Sequence, residues 1–286
     1  MITNFDQLYE HVKGLPSKRV ALIGAEDKVQ IDAAIHAVTE GLASFTLMGD
    51  AEKIRALLPA DGPEMEIVHT EDPAGDAVAR IHSGEADLLM KGRITTGELL
   101  KKVLDREKGL RQGDLLNHIA VVESPQYHKF VFISDGGINL HLDEDVFTQM
   151  VRNDIAYLKR LGIHDPKVGM MSIIETVSEK IPETVMAQNV AQRLAGECMI
   201  EGPIAPDVAL FRRAAGKKGL SSTISGEVDV FIMPNTASAN HLVKGLINLG
   251  GCKMGGVIVG ASVPIILLSR SDDAATKFRS IMLGLL

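Results

Sequence analysis

This chain of 286 residues contains no tryptophan, three tyrosines and eight phenylalanines. Rings this sparse offer no platform on which nucleobases would stack. A net charge of −7 also lacks the positive field that draws in a phosphate backbone. Nucleic acid is therefore not an expected partner. Cysteine is scarce: Cys198 and Cys252 stand outside any CxxC pair, so a disulfide framework is excluded and both are expected as small core residues. The nine histidines show no HxH or HExxH spacing, and no metal site is expected. No GxSxG nucleophile elbow is present. No apolar run approaches the ~20 residues of a membrane-spanning helix, so no membrane contact is expected. The opening MITNFDQLYEHVKG is polar and lacks a signal-peptide pattern, which points to a cytoplasmic protein.

What is present is alternation. Strand-like runs at 19–24, 44–48, 65–69 and 86–90 are each followed by a helical pattern, at 29–38, 51–58, 73–82 and 96–104. Such a rhythm predicts a mostly parallel sheet with helices on both faces. The polar stretch 105–114 breaks it, and a domain boundary is expected near 115–117. Two strand-like runs, 118–122 and 129–134, follow with no helix between them, which predicts an antiparallel excursion. Alternation then resumes: helix to 161, strand 167–173, helix 183–194, strand 197–201, helix 207–215, strand 228–233 and helix 237–249. The C-terminal stretch GGVIVGASVPIILLSRSDD ends a second apolar run, 263–268, at a hydroxyl, a guanidinium and two carboxylates. In open parallel sheets ligands bind just beyond such strand ends, although Ser271 or Asp272 would equally serve as an ordinary helix cap.

One internal echo stands out. Gly84-Glu85-Ala86-Asp87 and Gly226-Glu227-Val228-Asp229 each lead into a strand, a polar loop and a helix. Two domains built this way, with their loops facing, would form a cleft suited to a ligand. In the first loop, Lys91, Gly92, Arg93, Thr95, Thr96 and Gly97 combine positive charge, hydroxyl donors and glycines that permit close backbone approach. That set suits phosphate, though it is neither a Walker A loop nor a GxGxxG fingerprint. The second loop, Pro234 to Asn240, is uncharged and suits a carbonyl or amide, with Asn235 or Thr236 also able to cap the helix. Asp135, ahead of Gly136 and Gly137, suits a base or, more simply, an Asx turn. Lys180 precedes a helix that Thr184 is placed to cap.

Six stretches in combination resemble the phosphate acetyl/butyryltransferase family: LLMKGRITTGELLKKVL (88–104), VFISDGGINL (131–140), LGIHDPKVGMMSIIETVSEKIPET (161–184), EGPIAPDVAL (201–210), SGEVDVFIMPNTASANHLVKGL (225–246) and GGVIVGASVPIILLSRSD (255–272). The likeness runs from about residue 15 to the C-terminus, and the SRSD ending is closer to the butyryl branch. The resemblance implies two α/β domains with mostly parallel sheets and an inter-domain cleft, as in isocitrate and isopropylmalate dehydrogenases. Residues 1–116 plus 260–286 would form the first domain, and 117–259 the second, with the homodimer contact. It implies reversible transfer of a short acyl group, butyryl foremost, between acyl-CoA and inorganic phosphate. Coenzyme A would be a substrate, and no permanently bound cofactor is expected.

In family terms Ser269 positions the thiol sulfur, Arg270 offsets charge on the carbonyl oxygen or phosphate, and a carboxylate takes the thiol proton, with Asp272 the candidate. Phosphate or substrate binding would fall to Lys91, Gly92, Arg93, Thr95, Thr96, Asp135, Asn139, Ser172, Lys180, Asn235 and Asn240. The chain departs from the family in places. Thr276 stands where the acetyl branch carries its basic Asp, Asn235 replaces an acidic residue, Ala239 a glycine, Glu201 an aspartate, and Gly136-Gly137 a small pair such as Ala-Ala. The alternatives are a phosphate acetyltransferase or a non-catalytic subunit that binds acyl-CoA or acyl phosphate. A dehydrogenase of the same fold would need metal-binding aspartates and a nicotinamide site, and the sequence shows neither signature.

Overall fold

The computed structural model describes residues 1–113, 115–267, 269 and 272–286. It falls into two compact units. The N-terminal unit comprises Phe5–Asp114 and Gly255–Leu286, and the middle unit comprises Met1–Asn4 and Leu115–Met254.

In the N-terminal unit, strands β1 (Lys18–Ile23), β2 (Ala43–Gly49), β3 (Glu66–His69), β4 (Leu88–Lys91), β10 (Lys253–Val259) and β11 (Ile265–Ile266) lie in the order β3-β2-β1-β4-β11-β10. All neighbouring pairs are parallel except β10 with β11. Leu22, Ile23, Leu47, Met48, Leu88 and Leu89 are fully buried, which explains why these strands read as unbroken apolar runs. Helices α1 (Phe5–Lys13), α2 (Lys28–Thr39), α3 (Ala51–Leu57), α4 (Pro73–His82), α5 (Thr96–Val103) and α11 (Ala274–Gly284) complete the unit. Aspartates cap four of these helices: Asp27, Asp50, Asp72 and Asp273 accept N–H bonds from the first turns of α2, α3, α4 and α11. Helix α11 presses close to the sheet at small residues. A Cβ at Gly284 would lie 2.8 Å from Ile266 and 3.0 Å from Leu88, and one at Gly255 2.8 Å from Leu283.

The C-terminal strand is shorter than the apolar run 263–268 suggests. Pro264 has no N–H to give the ladder, and only its carbonyl takes part, accepting from Leu89 N at 3.3 Å. Strand pairing begins at Ile265, opposite Ile258 on β10 and Leu89 on β4.

In the middle unit, strands β5 (Asn117–Glu123), β6 (Val131–Ser134), β7 (Lys167–Met171), β8 (Met199–Ile204) and β9 (Val230–Ile232) run in the order β5-β6-β9-β7-β8. Strands β5 and β6 pair antiparallel, as the missing helix between them predicts, and the rest are parallel. Helices α6 (Glu144–Leu158), α7 (Pro182–Leu194), α8 (Pro206–Leu210), α9 (Arg212–Lys217) and α10 (Thr236–Asn248) accompany them. The single helix expected over 207–215 is two. Ser225 Oγ donates to Val208 O at 2.6 Å and Gly226 N to Ala209 O at 3.0 Å. Those carbonyls are therefore taken by another segment, and Phe211 turns extended between α8 and α9.

The Gly-Glu-x-Asp echo has a shared structural cause. Asp87 Oδ2 accepts from Arg19 N at 2.7 Å while Asp87 N donates to Arg19 O at 2.8 Å. Asp229 Oδ2 accepts from Lys167 N at 2.8 Å while Asp229 N donates to Lys167 O at 2.8 Å. Each aspartate clamps its strand to the start of the next. Asp229 also holds the buried Lys129 ammonium at 2.6 Å, and the Arg19 guanidinium holds the Asp87 carboxyl below its ordinary range. Among the described residues, no helix is long and apolar enough to cross a membrane.

Candidate active site

Three C-terminal strand ends of the N-terminal unit lie side by side: those of β1, β4 and β11. After β1 the chain turns at Gly24, with φ of +69°, a conformation that side chains other than hydrogen rarely adopt. After β4, Gly92 N donates to Ile23 O at 2.7 Å and Arg93 N to Gly24 O at 2.6 Å. A Cβ on Gly92 would sit 2.2 Å from Gly24 O and 2.5 Å from Ile23 O, so only glycine allows the two loops to meet. Lys91 is buried beneath this junction and its Nζ donates to Gly92 O at 3.2 Å. Arg93 is exposed on its outer side.

Thr95 and Glu98 form a reciprocal capping box at the start of α5, with Thr95 N donating to Glu98 Oε2 at 2.7 Å and Glu98 N to Thr95 Oγ1 at 3.1 Å. Those bonds, with Lys91 nearby, hold the Glu98 carboxyl below its ordinary range. Thr95 is thus a cap first, and Thr96, half-buried, follows it in the first turn.

Beyond β11, Ser269 and Asp272 are joined by two hydrogen bonds. Ser269 N donates to Asp272 Oδ2 at 2.8 Å, and Asp272 N returns a bond to Ser269 O at 3.2 Å. Asp273, not Asp272, caps α11. It accepts from Thr276 N at 2.7 Å, and that bond holds its carboxyl below the usual range. Arg270 and Ser271 lie outside the described residues.

The middle unit gathers a second set. The Ser134–Asp135 peptide is cis, and Asp135 is buried. Its Oδ1 accepts from the N–H groups of His118 (3.3 Å), Gly137 (3.0 Å) and Ile138 (3.2 Å), and its Oδ2 from Asn139 N (2.9 Å) and Asn139 Nδ2 (2.6 Å). This is the Asx-turn arrangement, and the carboxylate is occupied in shaping the loop. Asn139 Nδ2 also donates to Leu116 O at 2.8 Å. From α10, Asn240 Nδ2 donates to Gly136 O at 3.1 Å and the Thr236 hydroxyl to Asn139 O. Asn235 is the side-chain cap of α10, accepting from Ser238 N at 2.8 Å. The structure therefore brings Asp135, Asn139, Asn235 and Asn240 together.

Ser172, just past β7, donates its N–H to Ile204 O at 3.0 Å, yet its buried Oγ has no hydrogen-bond partner among the described residues. A buried hydroxyl left unmatched is costly. Lys180 is exposed. Thr184 does not cap α7 as expected. It is buried one turn further in, and its hydroxyl accepts from Ser178 N at 2.9 Å and donates to Ile181 O at 2.7 Å. Glu201, the departure from the family's aspartate, is structural: it accepts from Ser222 Oγ at 2.6 Å and Thr223 N at 2.7 Å.

Among the buried polar groups that sequence reasoning passed over, two have side-chain atoms unmatched among the described residues. Gln30 of α2 lies 93% buried against Gly92, and its Oε1 has no partner among the described residues. Flanked by Val29 and Ile31, it carries no local mark of a role in the site. Asp154 of α6 is completely buried, with Oδ1 accepting from Asn117 Nδ2 at 2.6 Å and Oδ2 unmatched among the described residues. Burial pushes its carboxyl up to about 8. A lone Asp in an amphipathic helix reads as solvated, so nothing local marked it.

Residues 57–284 match the family model described as phosphate acetyl/butaryl transferase. The chain is 33% identical to the phosphate butyryltransferase of Clostridium acetobutylicum, across 100% of this chain and 98% of that protein. It is also 33% identical to the phosphate acetyltransferase of Thermotoga maritima, across 98% of each. Among solved structures, a branched-chain phosphotransacylase from Enterococcus faecalis superposes with a TM-score of 0.83 at 29% identity, covering 94% of this chain and 98% of that one. The chain belongs to the phosphate acetyl/butyryltransferase family.

Proposed function

We propose that this phosphate acyltransferase moves a short acyl group reversibly between coenzyme A and inorganic phosphate, with butyryl favoured over acetyl. The observation that carries the reading is the alignment of strand ends in the N-terminal unit. Strands β4 and β11 are parallel with Ile266 opposite Met90, so Lys91 and Ser269 emerge from the same edge of the sheet. Anionic substrates are expected there. The butyryl preference rests on the relatives, several of which carry that name.

In the direction that makes CoA thioester, the CoA sulfur attacks the acyl phosphate carbonyl carbon, the carbon–oxygen bond to phosphate breaks, and phosphate leaves with that electron pair. Ser269 is proposed to hold the sulfur, and Arg270 to offset the charge that grows on the carbonyl oxygen or the departing phosphate. The thiol proton goes to a carboxylate. Asp272 is proposed for that role because its carboxylate lies against Ser269, whose N–H it accepts at 2.8 Å, whereas Asp273 caps α11. Lys91 supplies a buried positive charge for phosphate, and Gly92 permits the approach of Arg93, Thr95 and Thr96. No covalent enzyme intermediate is required.

In the middle unit, Ser172, Lys180, Asn139, Asn235 and Asn240, with the loop built on Asp135, are assigned to substrate contact. Ser172 has the strongest support, because its hydroxyl is buried and unmatched among the described residues. That unit is also proposed as the second domain and as the contact of a homodimer, which sedimentation would read. The experiment that tests the mechanism is turnover of Arg270→Ala and Ser269→Ala across acetyl-, propionyl-, butyryl- and branched acyl-CoA. Both variants should lose at least about 100-fold in kcat, as for loss of an oxyanion donor. Wild-type turnover in Arg270→Ala would remove the mechanism, and acetyl-CoA as the best substrate would remove the butyryl preference.

A further inference from the structure

Lys277 lies in the first turns of α11 and is 1% exposed, the most buried lysine among the described residues. Helix α11 is enclosed nearly all round: Thr276, Phe278 and Ser280 to Gly284 are buried with it. An ammonium withdrawn from water this completely is costly unless it is paired. The buried Lys129 meets that demand with the Asp229 carboxylate at 2.6 Å. Lys277 forms no ion pair with a carboxylate among the described residues, although the Asp273 carboxylate lies near enough to feel its charge. Its Nζ donates instead to a backbone carbonyl, that of Asp272. On folding grounds alone an apolar side chain of similar length would do as well or better there.

The position of that carbonyl gives the lysine a purpose. Asp272 is joined to Ser269 twice, through Ser269 N to Asp272 Oδ2 at 2.8 Å and Asp272 N to Ser269 O at 3.2 Å. Lys277 therefore ties Asp272, and through it Ser269, to the body of α11. The helix itself is fixed to the sheet, with Gly256 N donating to Ser280 Oγ at 2.8 Å and Gly284 packed against Ile266. The geometry points to Lys277 as a positioning residue: its buried ammonium fixes Asp272 and, through its two bonds to Ser269, the aim of the Ser269 hydroxyl. This inference rests on the role given to Ser269 under the proposed function.

The test is a double-mutant cycle of Lys277→Met and Ser269→Ala in phosphate-dependent CoA release, with thermal unfolding alongside. Lys277→Met should lower kcat about 10- to 100-fold, the cost of misplacing a reacting group by about 1 Å. KM for acyl-CoA and phosphate should stay within about threefold, and the melting temperature should hold or rise. The double variant should be no more than about twofold slower than Ser269→Ala, because both changes remove the same contact. Lys277→Arg, which keeps a buried donor and charge, should recover most of the rate. Should the Met variant not fold, Lys277→Gln completes the same cycle, with a loss of about 5- to 20-fold expected.

Wild-type kcat in the Lys277 variant, or losses that multiply in the double variant, would overturn the inference while leaving the acyltransferase reading intact. A wild-type enzyme that releases no CoA in response to phosphate would overturn that reading, and the role of Lys277 with it.

Discussion

Substituting Gly92 by alanine perturbs the junction on which the strand-end site rests. The new methyl would lie 2.2 Å from Gly24 O, 2.5 Å from Ile23 O and 2.7 Å from Gln30 Oε1. Carbon–oxygen contacts settle at about 3.3–3.6 Å, so the loop after β4 must retreat by roughly 1 Å. Two of the three obstacles are backbone atoms of a buried strand end and cannot swing aside. The retreat lengthens the bonds Gly92 N to Ile23 O, 2.7 Å, and Arg93 N to Gly24 O, 2.6 Å. Each is worth about 1 kcal/mol net, and the overpacking adds about 1–3 kcal/mol. A total of roughly 3–5 kcal/mol corresponds to a fall in melting temperature of about 6–15 °C. A 1 Å displacement of Lys91 and Arg93 should cost kcat/KM on the order of 100-fold. Circular dichroism melting and a thiol-reagent assay of CoA release read the two effects on one preparation. A variant with unchanged melting and turnover within about twofold of wild type would show that the close approach has no role in the site.

Three further outcomes separate binding roles from structural ones. Ser172→Ala removes a hydroxyl that has no partner among the described residues, so the melting temperature should hold or rise while kcat/KM falls about tenfold; a stability loss without a kinetic one would show the hydroxyl to be structural. Asp135→Asn turns an amide NH2 toward N–H groups that now find a carboxylate oxygen. It should destabilise the middle unit by about 1–3 kcal/mol and reduce turnover, read by denaturant titration and CoA release. Asp154 titrates near 8 in the fold against an ordinary value of 3.8. Its neutral form therefore contributes fully below about pH 4, and the contribution declines as pH rises toward about 8. Asp154→Asn should remove that decline, stabilising the protein on the order of a few kcal/mol more at pH 8 than at pH 5; an equal effect at both values would refute the burial argument.

The parallel β/α rhythm was readable because most strands are buried on both faces and so appear as apolar runs between turn residues; β3 and β8, at the ends of the strand order, are only partly buried. Where apolar content and ladder chemistry part company, the sequence misleads. The run 263–268 looks like a full strand, but Pro264 interrupts its ladder. The pattern over 207–215 looks like one helix, but Ser225 and Gly226, distant in sequence, take the carbonyls at the break. In the site, the close approach at Gly92 was readable from a glycine after a strand. The division of labour among polar residues was not. Thr95, Asn235 and Asp135 have the composition of ligand contacts, and each is engaged in capping or loop closure. Lys277 was hidden because a lysine at the start of a helix reads as solvated; only the burial of nearly the whole helix shows otherwise.

The most direct measurement is CoA release from butyryl-CoA by the purified wild-type protein, with and without inorganic phosphate. Release that requires phosphate, yields an equivalent amount of acyl phosphate and exceeds that from acetyl-CoA is the predicted result. Release that proceeds equally without phosphate would make the protein a thioesterase. Coenzyme A binding with no release from any thioester would mark a non-catalytic binding subunit, and either result contradicts the account.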